Sequence, residues 1–220
     1  MEEIKQVWPH DLLTFNDNHD LIPKVNPLPD WAKDSLSKAK IVVVRRGLSR
    51  NGLIPVGLRG SHRSQRLAGF LAKKRVIGCY SPVDFIKNKS WQKLAPERRK
   101  LPQFQALEKI YPILMKYTWG IGGSLAYEMA TSIATVQNNS KHKSDLDIIL
   151  IAKRKISINQ SRKLLTMLNQ YQVHADVQVV KGQNGFALAE YAANRNPKVL
   201  IKTNAGPVLT ADPWHFLKVN

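Results

Sequence analysis

Two aspartates at the entrance to an apolar run constrain this chain more than any other feature. Segment 144–151 reads S-D-L-D-I-I-L-I. Polar and apolar residues alternate up to Asp147 and only apolar residues follow, which predicts a strand that enters a core from an exposed edge. Residues i and i+2 of a strand share a face, so the Cβ atoms of Asp145 and Asp147 are expected about 6.5 Å apart. Such a pair suits two divalent ions, but it also fits an ordinary solvated strand start.

The segments on either side of this pair favour the first interpretation. Before it, segment 117–124 predicts a short strand, a glycine turn and a helix that begins at Ser124. Glycine lets the backbone approach an anion closely, and a helix start offers free N–H groups. After it, a predicted helix over 159–170 leads to an alternating strand over 173–180. Asp176 stands near the start of that strand, where a third carboxylate would lie beside the first two.

Charge is the unusual bulk property. The 220 residues contain 34 Lys and Arg against 16 Asp and Glu, a formal net charge of +18. This excess favours an anionic partner: nucleic acid, a nucleotide-like polyphosphate, or an acidic protein surface. The single cysteine, Cys79, excludes an intrachain disulfide, and no apolar stretch is long enough to span a bilayer. We therefore expect a cytoplasmic protein with no membrane partner.

The chain length allows one large or two small domains. The first, over 1–90, is predicted as a small β-hairpin and helix domain, and a mixed-sheet domain follows over 91–220. Segment 76–102 is expected to be an irregular connector between them. Within the first domain we predict helices over 30–38 and 63–73 and strands over 41–46 and 53–59.

Arginines gather around the predicted hairpin. Arg45 and Arg46 follow its first strand and Arg59 ends its second. Each is individually compatible with a solvated basic face. Together, beside a glycine turn and the start of the helix predicted over 63–73, they suggest an anion site.

The central order resembles that of the nucleotidyltransferase superfamily. Its pattern is a Gly-Gly/Ser turn, an apolar-Asp-x-Asp-apolar strand and a separate apolar-Asp-apolar strand. Gly123-Ser124, Asp145-Leu146-Asp147 and Asp176-Val177 stand at those places, with Ser144 where the superfamily often has an apolar residue. The resemblance implies an α+β fold with a nucleotidyltransferase-like mixed-sheet domain.

Motifs along the whole chain resemble a narrower family, the phosphoribosyl-dephospho-CoA transferase (holo-acyl-carrier-protein synthase) of malonate decarboxylase. They are PHDLL at 9–13, VVRR at 43–46, IPVGLRG at 54–60, QR at 65–66, GGS at 122–124, SDLD at 144–147 and ADPW at 211–214. The family's activity would be transfer of a prosthetic group from 2′-(5″-triphosphoribosyl)-3′-dephospho-CoA to a serine of the apo acyl carrier protein, with pyrophosphate leaving.

The resemblance also implies residue roles. Asp145, Asp147 and Asp176 would bind two Mg²⁺ ions, and Asp176 would also serve as general base. Gly123 and Ser124 would hold the triphosphate, and Arg45, Arg46 and Arg59 would contact substrate phosphates or the carrier.

Two other functions remain open at this point. One is a different nucleotidyltransferase that uses ordinary nucleoside triphosphates. The other is a non-catalytic nucleic-acid-binding module, which is less favoured because the aromatic residues are scattered and form no stacking platform.

Overall fold

The chain folds into two compact units. The computed structural model describes residues 6–62, 64–139 and 142–219. An N-terminal unit spans Met1–Ser81 and a C-terminal unit spans Pro82–Asn220. The sequence placed the boundary after residue 90, whereas the structural division falls after Ser81.

The N-terminal unit is built on one antiparallel sheet. Its elements are β1 (Leu12–Thr14), β2 (Leu21–Pro23), α1 (Asp30–Lys38), β3 (Ile41–Val44), β4 (Leu53–Arg59), β5 (Arg66–Ala72) and β6 (Gly78–Tyr80), with 3₁₀ turns at Asn18–Asp20 and Lys73–Arg75. The strand order is β2-β5-β4-β3-β1-β6, and every pairing is antiparallel. The predicted helix over 30–38 and the predicted β-hairpin are therefore confirmed.

One face of this sheet and α1 form the core of the unit. Along β4, Ile54, Val56 and Leu58 are buried, which is the period-two pattern of a half-buried strand. From α1, Ala32 and Leu36 join the same cluster; they are four residues apart and so share a helix face.

The predicted helix over 63–73 is wrong. Residues 66–72 form β5, which pairs with β4 from Arg59↔Arg66 to Leu53↔Ala72, and Arg63 lies outside the described residues. Leu67 and Leu71 misled the prediction, because a spacing of four fits both a helix face and alternate positions of a strand. Phe70 lies on the other face of β5 and is only half-buried.

The C-terminal unit alternates strands and helices. Its elements are α2 (Pro82–Lys87), α3 (Pro96–Arg99), α4 (Pro102–Leu114), β7 (Trp119–Ile121), α5 (Gly123–Thr131), β8 (Leu146–Ile151), α6 (Ile158–Leu168), β9 (Ala175–Lys181), β10 (Asn184–Ala187), α7 (Leu188–Ala193), β11 (Val199–Thr203), β12 (Gly206–Thr210) and α8 (Pro213–Phe216), with 3₁₀ turns at Ser90–Lys93 and Asn169–Tyr171.

The sheet of this unit has the order β12-β11-β10-β9-β8-β7. Strands β8 and β9 are parallel, and the other pairings are antiparallel. Parallel neighbours need a crossover, which α6 supplies. The mixed sheet and the helix before β9 were predicted. The prediction of an irregular connector over 76–102 is wrong, because β6, α2, α3 and a 3₁₀ turn occupy much of this segment.

Within the described residues, no helix is both long and apolar enough to cross a lipid bilayer.

The segment around Trp214 packs into the core of the C-terminal unit. Trp214 is fully buried, and its ring lies 5.3 Å from that of Phe186 and 5.9 Å from that of Tyr191. The ADPW motif thus closes the core of this unit.

Candidate active site

The parallel register of β8 and β9 brings two predicted site residues together. Asp147 is directly paired with Asp176. Paired residues on neighbouring strands point to the same face and are about 4.8 Å apart across the sheet. Both aspartates are half-buried, whereas Leu146 and Ala175 just before them are buried. The carboxylates therefore stand side by side at the start of both strands.

Asp145 has a different setting. β8 begins at Leu146, so Asp145 ends the preceding loop rather than opening the strand as predicted. The backbone there is held by the loop itself, since Ser144 N donates to Gln137 O at 2.9 Å. Asp145 is half-buried and precedes Asp147 by two residues.

The glycine turn lies against Asp147. Gly122 N donates to Asp147 O at 2.8 Å, and Gly123 has a φ of +60°. A Cβ atom on Gly123 would overlap the Asp147 carboxylate. Gly123 is exposed, whereas Ser124 is buried at 4% exposure. Two constraints therefore favour glycine at position 123: the left-handed backbone conformation, and the Asp147 carboxylate that fills the space of a Cβ atom.

A buried ion pair fixes the start of the loop between α5 and β8. Glu128 of α5 is 1% exposed, and its carboxylate accepts hydrogen bonds from Arg98 Nε at 2.6 Å and Nη2 at 2.9 Å. The same carboxylate accepts the N–H groups of Thr135 and Val136, both at 2.8 Å. The hydrogen bond to Glu128 raises the pKa of Arg98 above its ordinary value.

Gln103 and Ser144 fix the end of the same loop. Gln103 is 1% exposed, and its Nε2 donates to Gln137 O and Ser144 O, each at 3.2 Å. Ser144 Oγ accepts the N–H of Gln137 at 3.0 Å. Ser144, the departure from the superfamily pattern, therefore closes the loop just before Asp145.

Sequence reasoning did not find these positioning residues. Arg98 lies in segment 76–102, which was predicted to be an irregular connector, yet its side chain is only 26% exposed. One signal was present in the sequence. Glu128 follows Leu125, Ala126 and Tyr127 in the helix predicted from Ser124, and a carboxylate on a buried helix requires a partner. Nothing in the sequence named Arg98 as that partner.

The three predicted arginines lie in the N-terminal unit and do not form one group. Arg45 is exposed and its N–H donates to Pro55 O at 2.9 Å. Arg46 is half-buried, and this burial lowers the pKa of its guanidinium. Because β3 and β4 pair antiparallel with Val44 opposite Val56, Arg59 lies at the far end of the hairpin, about 13 Å along it from Pro55.

The acidic pair suits a hard divalent cation. Mg²⁺ prefers oxygen ligands and commonly takes one or two carboxylates, with substrate phosphates and water completing its shell. Asp147 and Asp176 offer that donor set. In residues 6–62, 64–139 and 142–219, no three or more His, Cys, Asp or Glu side chains are already grouped to hold an ion.

Fold and site together describe an α+β protein whose acidic site resembles the nucleotidyltransferase arrangement. The chain belongs to the MdcG family of phosphoribosyl-dephospho-CoA transferases. Residues 8–82 match the N-terminal domain of that family, "Phosphoribosyl-dephospho-CoA transferase MdcG N-terminal domain". Residues 91–213 match its C-terminal domain, which contains all the predicted aspartates.

Curated proteins of the same family match this chain over nearly its full length. A phosphoribosyl-dephospho-CoA transferase of Pseudomonas fluorescens is 36% identical over 205 residues, covering 90% of this chain and 94% of its own. Proteins of the same name from Pseudomonas syringae pv. tomato and Klebsiella pneumoniae are 34% and 32% identical, and cover 97% and 94% of this chain and 96% of their own lengths. No solved structure matches the chain.

Proposed function

We propose that this protein transfers the 2′-(5″-phosphoribosyl)-3′-dephospho-CoA group from its triphosphate precursor to a serine of the apo acyl carrier protein of malonate decarboxylase. Family membership supports the transferase activity and the dephospho-CoA substrate. The observation that carries the site assignment is the register that sets Asp147 beside Asp176, against the Gly123 turn. A cytoplasmic location is part of the same proposal.

The reaction breaks a phosphoanhydride bond and forms a phosphate ester bond. The carrier serine Oγ forms a bond to the α-phosphorus, and the bond from that phosphorus to the pyrophosphate oxygen breaks. Asp176 accepts the serine proton, so its carboxylate must face the incoming hydroxyl. The acidic pair and the glycine turn would position substrate and nucleophile in line, which is the main source of rate in phosphoryl-type transfer.

Asp147, Asp176 and the adjacent Asp145 would hold the Mg²⁺ ions of the site, for which we propose two. Bound there, Mg²⁺ would neutralise charge on the phosphate oxygens. Exposed Gly123 and the first N–H groups of α5 would face the triphosphate, since a helix start favours anions. Ser124 is buried, so we assign the contact mainly to the backbone of this turn.

Arg45, Arg46 and Arg59 would contact substrate phosphates or the acidic carrier surface. Their positions support two separate contacts, because Arg45 and Arg46 are consecutive while Arg59 lies at the opposite end of the hairpin. The formal net charge of +18 would favour encounter with either partner.

Reconstitution tests this function directly. The protein is incubated with the triphosphoribosyl precursor, Mg²⁺ and the apo carrier, and the carrier mass is measured. We expect a phosphoribosyl-dephospho-CoA adduct on one serine. Asp147→Asn should lower the transfer rate about a thousandfold or more while the fold is retained, because the site loses a carboxylate that would hold Mg²⁺ against the substrate phosphates. Asp145→Asn is tested in parallel.

Two results would contradict the proposal. Transfer of a nucleoside monophosphate from ATP, with no adduct from the precursor, would assign the protein to another nucleotidyltransferase activity. Near-normal turnover in both aspartate variants would refute the site. Asp34→Asn provides the control, since Asp34 is an exposed carboxylate of α1.

A further inference from the structure

A second charged region lies at the other end of β8. A cavity of about 490 Å³ opens beside the segment that follows this strand, and its lining includes Tyr117, Arg154 and Lys163. Asp147 is the second residue of β8, and Arg154 lies three residues after its last residue, Ile151. The strand alone separates the two regions by about 13 Å, four residues at about 3.3 Å each.

Four cations line this cavity, and they come from three separate segments. Lys116 follows α4, Arg154 and Lys155 follow β8, and Lys163 belongs to α6. Lys116 Nζ lies 5.5 Å and Arg154 Cζ 5.9 Å from the centre of the Tyr117 ring. The tertiary fold therefore collects positive charge around one aromatic ring.

This charge is poorly compensated. Lys155 Nζ lies 3.4 Å from Asp212 Oδ2. Around Lys116, Arg154 and Lys163, no carboxylate of the described residues comes within 4.0 Å. All four cations are exposed, and an incoming anion can reach Lys116, Arg154 and Lys163 without displacing a carboxylate partner.

The start of α6 adds to the positive potential. Ser157 caps this eleven-residue helix through a capping box with Gln160, and Gln160 itself lines the cavity. The N-terminus of a helix carries a partial positive charge that favours anions. Lys163 stands one turn further on, so its ammonium group adds to the same field.

The cavity also has an apolar side. Ile156 and Leu164 are buried and Met167 is half-buried, and all three line it. Its volume falls within the range of small-molecule sites, about 300 to 1,000 Å³. A docked protein would instead need a contact of about 800 Å² on each partner. Apolar floor, cationic rim and size together favour a small ligand with anionic groups on an apolar body.

We propose that this cavity binds a nucleotide-sized ligand that carries at least two phosphate groups, at a site separate from the Asp147–Asp176 pair. The phosphates contact Arg154, Lys163 and Lys116, and the organic body lies against Leu164 and Met167. The inference stands apart from the transfer reaction, because it rests on charge and shape at the opposite end of the strand.

Calorimetric titration of the full chain with ADP, in EDTA and low salt, tests this site. We expect saturable binding that weakens about tenfold or more in the double variant Arg154→Gln/Lys163→Gln, which loses two charge-assisted contacts. The control is Arg195→Gln/Lys198→Gln, with the same charge change on exposed residues outside the cavity lining. The control and Asp147→Asn should each stay within about twofold of the wild type.

Several outcomes would overturn the proposal. Absence of saturable ADP binding by the wild type would remove the site, and equal weakening in both double variants would show a general effect of charge. Weakening in Asp147→Asn as large as in the cavity variant would place ADP at the acidic site. Unchanged ADP affinity, with weaker association of the acidic carrier in the cavity variant, would make this region a protein-docking surface. All of these results are independent of transferase activity.

Discussion

The two ends of β8 carry opposite charge and are held in place by different means. At the acidic end, Asp147 is fixed by its register with Asp176 and by contact with Gly123. Hydrogen bonds made by the Arg98, Glu128 and Gln103 side chains hold the adjoining loop. At the basic end, exposed lysines and an arginine extend from loops and a helix face.

This difference matches what each end must do. Bond-making chemistry needs groups held to within about 1 Å, because a misplacement of that size can cost about a hundredfold in rate. Attraction of a phosphate by cations acts over longer distances and tolerates mobile side chains. We therefore expect changes that shift the acidic end to affect transfer strongly, while the basic end responds mainly to the number of charges.

Gly123→Ala is expected to produce the largest difference between the two ends of β8. The new methyl group would overlap the Asp147 carboxylate, so either the turn or the aspartate must move. We expect the transfer rate to fall about a hundredfold, with ADP affinity at the basic end unchanged. Single-turnover transfer monitored by carrier mass provides the measurement.

Gly52→Ala is the matched control for this variant. Gly52 also has a positive φ, +73°, but a Cβ atom there would meet nothing within 4 Å. Both variants lose about 1 kcal/mol of stability from backbone strain. If the two lose transfer activity equally, the proposed clash with Asp147 is not what matters.

Removing the Arg98 guanidinium should have the next largest effect. Arg98→Met leaves Glu128 buried with only its two backbone N–H donors. Breaking a buried pair costs about 3 to 5 kcal/mol, and we expect the lower value because Arg98 is 26% exposed. Urea denaturation measures the loss of stability, and transfer should also fall because the loop before Asp145 loosens.

Arg99→Met separates this contact from a general effect of charge. Arg99 is the exposed neighbour of Arg98 in α3, so its replacement should change stability by less than about 0.5 kcal/mol. Equal destabilisation of both variants would refute a structural role for the Arg98–Glu128 pair.

Sequence patterns predicted the elements that carry the site. The apolar run after Asp147 and the alternation around Asp176 were enough to predict β8 and β9, and α6 between them followed from its leucine spacing. A helical crossover makes the flanking strands parallel neighbours. The closeness of Asp147 and Asp176 was therefore predictable, since it follows from topology.

Features that depend on distant contacts were not predictable. β5 exists because β4 offers seven residues of ladder pairing, and its own apolar spacing fits a helix equally well. Arg98 meets Glu128 across 30 positions of the chain, a pairing that no local pattern encodes. The cavity at the basic end likewise needs three separate segments to meet.

Asp212→Asn has the smallest expected effect and probes the basic end. Asp212 Oδ1 caps α8 by accepting the N–H groups of Trp214 at 3.0 Å and His215 at 3.1 Å, and Oδ2 faces Lys155. The backbone hydrogen bond from His215 is the main cause that lowers the pKa of Asp212 below its ordinary value. A lowered folded-state pKa stabilises the protein above the unfolded value, about 3.9, and this contribution is lost as pH falls through the folded value.

Asparagine remains a good cap but does not titrate. At neutral pH we therefore expect Asp212→Asn to lower the free energy of unfolding by less than about 1 kcal/mol, because the side chain is 48% exposed and solvent screens its charge. The difference from the wild type should shrink as the pH is lowered through the folded-state pKa, as measured by urea denaturation from neutral pH downward.

Loss of the Asp212 charge also frees Lys155, so ADP affinity at the basic end should rise slightly. A pH-independent difference in stability, or weaker ADP binding, would show that Asp212 acts there in another way than by its charge.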